Sequence, residues 1–219
     1  MEKHIAPSIL ACDILHLGDA IKKIEHSGAD YVHIDIMDGV FVPNISFGMP
    51  IVSAVKKITD LTLDVHLMIV EPWKYIETFG KCGANILTLH YETLPAERIP
   101  EILDSIRQNG MKAALSVKPK TDISVVFPYL DLLDMVLVMA VEPGFGGQKY
   151  IPESADKIAA LRQEILRRGL SVDIQVDGGI NSATIRNASE AGANIFVLGT
   201  AFFTDTNFNA KQTLDSLNV

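Results

Sequence analysis

A three-residue junction recurs along this chain: Gly28-Ala29-Asp30, Gly83-Ala84-Asn85 and Gly192-Ala193-Asn194. Each closes a stretch of helical periodicity and opens a short run rich in Val, Ile and Leu. Glycine suits the left-handed residue that ends a helix, and alanine lets the chain turn back closely against it. Asn109-Gly110 and Arg168-Gly169 are looser forms of the same junction. A chain punctuated in this way repeats one unit, strand then helix. Its strands are too continuously apolar to face water on either side, which points to a parallel sheet covered by helices.

The periodicity predicts strands at 4–9, 31–37, 62–68, 85–90, 112–117, 133–140, 172–177 and 195–199. Helices are expected at 13–27, 48–58, 72–82, 96–109, 121–128, 153–168, 181–191 and 207–217. Pro128 and the β-branched residues near it weaken the fifth helix. Eight units in 219 residues leave about 27 residues for each, the scale of a compact (β/α)8 TIM barrel with short loops. A doubly wound open sheet is the alternative. The unusual polar residues favour the barrel. They lie at strand C-terminal ends all round the order, and a closed barrel gathers those ends at one place. The expectation is a single α/β domain over 1–219.

The formal net charge of −8 argues against nucleic acid or an anionic membrane as partner. Any anionic substrate then needs a local site. Cys12 and Cys82 sit in no metal or redox pair motif, so they read as free thiols of a cytoplasmic protein. Met1-Glu2-Lys3-His4 lacks the basic start of a signal peptide, and no apolar run is long enough to span a bilayer.

Several strands carry polar groups where apolar ones belong. They read His33-Ile34-Asp35-Ile36-Met37, Asp64-Val65-His66-Leu67-Met68 and Asp173-Ile174-Gln175-Val176-Asp177. Residues two apart on a strand share a face, so each strand aims its polar groups in one direction. A buried carboxylate is costly unless a charge or a metal compensates it. No Lys or Arg lies within these strand cores, so a purely structural ion pair lacks its cation. One divalent ion shared by His33, Asp35, His66 and Asp177 is the simpler account. Mixed imidazole and carboxylate donors suit Zn, Fe, Mn or Co better than Ca or Mg.

Three consecutive strand ends then carry glycine. Val141-Glu142-Pro143-Gly144-Phe145-Gly146-Gly147-Gln148 follows the sixth, Asp177-Gly178-Gly179 the seventh and Gly199-Thr200 the eighth. Glycine lets backbone N–H groups approach a phosphate, and barrel enzymes often place a phosphate beyond the seventh and eighth strands. Ser8 fits equally a turn-initiating serine and a hydrogen-bond donor to substrate. Met37, Met68 and Met139 lie near strand ends and could wall the site, although methionine is usually gap-filling core. His90 reads as core or as support for the site, and 39–44 as a lid.

Together these segments, with Ala6-Pro7-Ser8-Ile9-Leu10 and Phe41-Val42-Pro43-Asn44, resemble the ribulose-phosphate 3-epimerase family in order and spacing. The resemblance implies a metal-dependent (β/α)8 barrel interconverting D-ribulose 5-phosphate and D-xylulose 5-phosphate in pentose phosphate metabolism. It implies His33, Asp35, His66 and Asp177 as metal ligands, with Asp35 and Asp177 also the acid/base pair. It implies substrate contacts from Ser8, His66, Gly144, Phe145, Gly146, Gly147, Asp177, Gly178, Gly179, Gly199 and Thr200. Two departures are visible: Thr200 where the family usually has Ser, and Gln175 where it has Glu. Neither is a ligand, so altered tuning is expected rather than lost activity. Epimerisation at C3 needs a proton removed beside a carbonyl and returned on the opposite face, which two carboxylates from different strands can do. Alternatives are a 3-epimerase for a six-carbon ketose phosphate such as D-allulose 6-phosphate, a non-catalytic phosphosugar-binding barrel, and a metal-free phosphate-binding barrel lyase or isomerase. A homo-oligomer is expected, because apolar barrel exteriors often pair.

Overall fold

The structure is a computed structural model describing residues 1–218, so Val219, the last residue of the expected domain, lies outside the description. Eight strands form one parallel sheet: β1 (His4–Pro7), β2 (Tyr31–Met37), β3 (Thr62–Met68), β4 (Ile86–His90), β5 (Lys112–Val117), β6 (Met135–Met139), β7 (Asp173–Asp177) and β8 (Ile195–Leu198). Neighbours pair in sequence from β2 round to β8, and β8 pairs with β1. A parallel bridge from Ser8 to His33 then brings β1 against β2. The sheet is a nearly closed (β/α)8 barrel, and the open-sheet alternative is excluded.

The helices are α1 (Leu17–His26), α2 (Met49–Lys56), α3 (Ile76–Lys81), α4 (Ile99–Gln108), α5 (Ser154–Arg168), α6 (Ile185–Ala191), α7 (Thr200–Thr204) and α8 (Ala210–Asp215). In α4, Ile99, Ile102, Leu103 and Ile106 are all buried, a stripe at the 3, 4 and 7 spacing that one helical face requires. Pro100 sits in the first turn, where its missing N–H costs nothing. Truncating fully buried Leu103 to Ala would cost about 2–5 kcal/mol. The glycines of the recurring junction behave as expected. Gly28, Gly83 and Gly192 have φ of 77°, 94° and 116°, and the alanine after each is buried.

Several element boundaries differ from expectation for local reasons. β1 stops at Pro7 because Ser8 caps a 3-10 turn over Ile9–Ala11. A second such turn, Ile14–His16, is capped by the Asp13 side chain and delays α1 to Leu17. The segment expected as a fifth helix at 121–128 is a 3-10 stretch, Ile123–Leu132, with Pro128 inside it. There the proline ring removes a helical hydrogen bond. α7 was not expected, since it begins directly after β8 at Thr200.

The alternation along each strand divides the barrel interior. On its inner face lies an apolar group of Ala6, Tyr31, Ile86, Ala114, Met135, Ile195 and Val197. Towards the strand C-termini the same face turns polar: His33 and Asp35 follow Tyr31 on β2, His90 follows Ile86 on β4, and Asp64, His66, Gln175 and Asp177 join them from β3 and β7. The site is therefore sealed by hydrocarbon below and opens above. No helix among the described residues is long and apolar enough to cross a membrane.

Candidate active site

Strands β2, β3 and β7 bring four side chains together as the sequence expected. His33, Asp35, His66 and Asp177 each offer a donor atom, and these atoms all lie within 4.8 Å of one another. Asp35 is the hub. Its Oδ1 lies 3.2 Å from His33 Nε2 and 3.1 Å from His66 Nδ1, while its Oδ2 accepts a hydrogen bond from Ser8 at 2.6 Å. The turn reading of Ser8 holds, since its hydroxyl also accepts from Leu10 N at 3.3 Å. Neither Asp35 nor Asp177 is paired with a Lys or Arg among the described residues.

The donor set fits a divalent cation of the kind expected: two imidazole nitrogens and two carboxylates, with the rings held from behind. His33 Nδ1 lies 2.7 Å from Asp64 Oδ2, which directs Nε2 at the cluster. The same Asp64 oxygen accepts a hydrogen bond from Gln175 Nε2 at 2.6 Å. That contact gives the Gln175 amide a buried acceptor. An ionised Glu at 175 would confront Asp64, whereas the amide donates to it.

Electrostatics separates the two carboxyls. Burial alone would raise Asp35, but the His33 ring and then His66 outweigh it, so its pKa is lowered below the usual carboxylate range. Burial and then the charge of Asp35 push Asp177 up to about 6. Burial also disfavours a charged His33, yet the flanking Asp35 and Asp64 overcome it and raise its pKa well above the ordinary value. Two carboxyls held apart in this way have the pattern of an acid/base pair. A ligating imidazole must be neutral, so metal uptake at His33 is coupled to proton release.

Above the cluster is a cavity of about 320 Å3. Its wall includes Ser8, Asp35, Asp177, Met37, Met68 and Met139, and its rim carries Gly144, Phe145, Gly146, Gly147, Gly178, Gly179, Gly199 and Thr200. All the expected contact residues except His66 line it. His66, like His33, is fully buried behind Asp35. The glycines serve different purposes. A Cβ on Gly179, at φ 65°, would lie 2.2 Å from Tyr150 N, so this glycine is required by packing. A Cβ on Gly146 would meet nothing within 4 Å, and its φ is outside the left-handed region. Neither strain nor crowding demands glycine there.

The 39–44 segment is anchored. Asp38 accepts hydrogen bonds from Val40 N, Phe41 N and Val70 N at 2.8, 2.9 and 2.8 Å. Asn44 Nδ2 donates to Gly144 O at 2.9 Å, tying this segment to the Gly-rich loop. Phe41 packs on His90, with ring centroids 4.7 Å apart.

His90 is buried and supports the site, as its sequence reading allowed, but the relay it forms behind His66 was not expected. His66 Nε2 lies 3.0 Å from His90 Nε2, and His90 Nδ1 lies 3.1 Å from Glu92 Oε2. Burial drives His90 down to about 4, with Glu92 opposing and His66 assisting. The signal was available in His90-Tyr91-Glu92 at the end of β4, but one strand-end histidine does not reveal a neighbour on the adjoining strand.

Comparison with known proteins agrees with this geometry. Residues 4–203 match the model of the ribulose-phosphate 3 epimerase family. A ribulose-phosphate 3-epimerase of Chlamydia muridarum is 46% identical over 210 residues, covering 95% of this chain and 91% of its own. One from a Synechocystis species is 47% identical over 204 residues, covering 93% and 89%. The crystal structure of a 3-hexulose-6-phosphate synthase superposes with a TM-score of 0.67 over 99% of both chains, and at 18% identity it speaks for the fold alone. Similarity of this extent, joined to the cluster on β2, β3 and β7, means that the chain belongs to the ribulose-phosphate 3-epimerase family.

Proposed function

We propose that this chain, acting as one catalytic domain, interconverts D-ribulose 5-phosphate and D-xylulose 5-phosphate. The observation that carries the proposal is the convergence of two histidines and two aspartates beneath a glycine-rimmed cavity at the strand C-termini. His33 through Nε2, His66 through Nδ1, Asp35 and Asp177 would hold one divalent cation, Zn, Fe, Mn or Co. When bound, the ion would stabilise negative charge developing on the ketose oxygens near C2 and C3.

The chain's own residues supply the rest. Asp35 and Asp177 come from β2 and β7, so they can address opposite faces of a substrate lying between them. One carboxylate removes the C3 proton to give a planar enediolate, and the other carboxyl returns a proton on the far face. Their separated pKa values make Asp177 the carboxyl that takes up a proton first and Asp35 the one that stays ionised. Ser8 holds Asp35 in orientation through its 2.6 Å hydrogen bond. The methionines wall the reacting carbons without offering a competing acid or base. Gly144 to Gly147, Gly178, Gly179, Gly199 and Thr200 would grip the phosphate, and binding energy gained remote from C3 can orient the sugar.

The same reading takes the protein as a cytoplasmic homo-oligomer serving pentose phosphate metabolism. The family match disfavours a pure phosphosugar binder, and the paired carboxylates have no purpose in one. Purified protein assayed on D-ribulose 5-phosphate and on D-allulose 6-phosphate tests the proposal. A higher kcat/KM on the five-carbon substrate is expected, with loss on chelation and recovery with one of the four metals. Preference for the six-carbon ketose, or full activity in metal-stripped protein, would overturn it.

A further inference from the structure

His66 has two ring nitrogens and two neighbours that compete to define them. Nδ1 faces Asp35 at 3.1 Å, within the four-residue cluster, and Nε2 faces His90 Nε2 at 3.0 Å. A contact between two imidazole nitrogens needs one proton, so one ring donates and the other accepts. The second nitrogen of His90 decides which. It lies 3.1 Å from Glu92 Oε2, and an ionised carboxylate only accepts. The single proton of neutral His90 therefore sits on Nδ1, leaving Nε2 bare. His66 must then donate from Nε2, which leaves Nδ1 as the nitrogen facing the cluster, where a bound cation would take its lone pair.

Glu92 is itself held in place. Its Oε1 accepts from Lys118 N at 2.7 Å and from the Thr121 hydroxyl, so the segment after β5 fixes the far end of the chain of hydrogen bonds. Phe41 packs against the His90 ring, and Lys118 Nζ lies 3.7 Å from the centroid of that phenyl ring. His66 and His90 are both fully buried. Water does not offer either ring an alternative partner.

We infer that His90 and Glu92 are positioning residues that lock His66 in the tautomer whose Nδ1 faces the cation. The inference rests on the metal site proposed above. It adds that the fourth strand, which contributes no ligand, sets the donor quality of one contributed by the third. Asp64 does the same for His33 from the opposite side, so each ligating ring has a carboxylate behind it, directly or through one relay.

The test uses the full-length protein, Co2+ as probe ion with a chelating dye as competitor, and ring-nitrogen NMR shifts of His66 assigned by comparison with a His66 variant. In Zn2+-loaded wild type, His66 should carry its proton on Nε2, hydrogen-bonded to His90. His90→Phe removes the acceptor, and Glu92→Gln lets the amide donate to His90 and reverse the chain. Each should weaken Co2+ binding by about 10- to 100-fold. His90→Gln keeps an oxygen able to accept from His66 Nε2 and should recover most of that loss. A merely structural role would lower Tm while leaving the tautomer and the Co2+ affinity alone. Folded His90→Phe and Glu92→Gln proteins that bind Co2+ as tightly as wild type overturn the inference. So does a Zn2+-loaded wild-type His66 with no proton on Nε2, which can be read even if the variants do not fold. Wild type that binds no Co2+, or binds it unaffected by Asp177→Asn, instead overturns the site reading beneath it.

Discussion

Replacing Glu92 with Gln should destabilise the protein at neutral pH and do so less in acid. Glu92 bridges β4 and the segment after β5, accepting from His90, Lys118 N and Thr121. Burial raises its pKa, but these donors, His90 first, outweigh burial and lower it from 4.5 to about 2. A carboxyl depressed in the folded state contributes stability above its unfolded pKa and loses it as pH falls towards its folded one. The full shift corresponds to about 3 kcal/mol at pH 7. The side chain is 20% exposed, and solvent screening brings the expected difference to about 1–2 kcal/mol. The same two pKa values make the contribution about 40% smaller at pH 3.5 than at pH 7. Urea denaturation of wild type and Glu92→Gln at the two pH values measures this. A stability difference that does not change between them would mean that the carboxylate's charge is not what these donors hold.

Further expectations follow from the glycines and the cation. Gly179→Ala places a methyl 2.2 Å from Tyr150 N at φ 65° and should cost about 3 kcal/mol, read as a fall in Tm. Gly146→Ala meets no atom within 4 Å, so stability should stay within about 0.5 kcal/mol while KM for the ketose phosphate rises. An unchanged KM would place the phosphate elsewhere. Chelation should lower Tm, because an ion held at a hundred times its Kd stabilises the folded state by about 2.7 kcal/mol. A metal-stripped protein with unaltered Tm would contradict the proposed site.

The fold was legible because its signals are local. The Gly-Ala junctions announce helix ends, and β6, buried along its whole length, reads as a continuous apolar run. Legibility failed where backbone groups find side-chain partners. Asp13 and Ser8 each accept from a nearby backbone N–H, and the resulting 3-10 turns shorten β1 and delay α1. The ligand set was legible since residues two apart on a strand share a face, so polar oddities on three strands could be aligned without coordinates. The relay behind His66 was not. It joins β3 to β4 and then to the segment after β5, and its members are ordinary taken singly. The contact of Gln175 with Asp64 spans 111 residues of sequence, so the acceptor that the Gln175 amide meets could not be read from its own strand.

Hydrogen-isotope transfer at C3 addresses the two-carboxylate chemistry most directly. In D2O, wild type should convert D-ribulose 5-phosphate to D-xylulose 5-phosphate carrying deuterium at C3. Asp177→Asn, assayed with its fold verified and at a metal concentration that saturates its weakened site, should yield almost no epimer while the starting ketose still exchanges its C3 hydrogen through Asp35. An Asp177→Asn protein that forms deuterated epimer at the wild-type rate would show that Asp177 takes no part in the proton transfer.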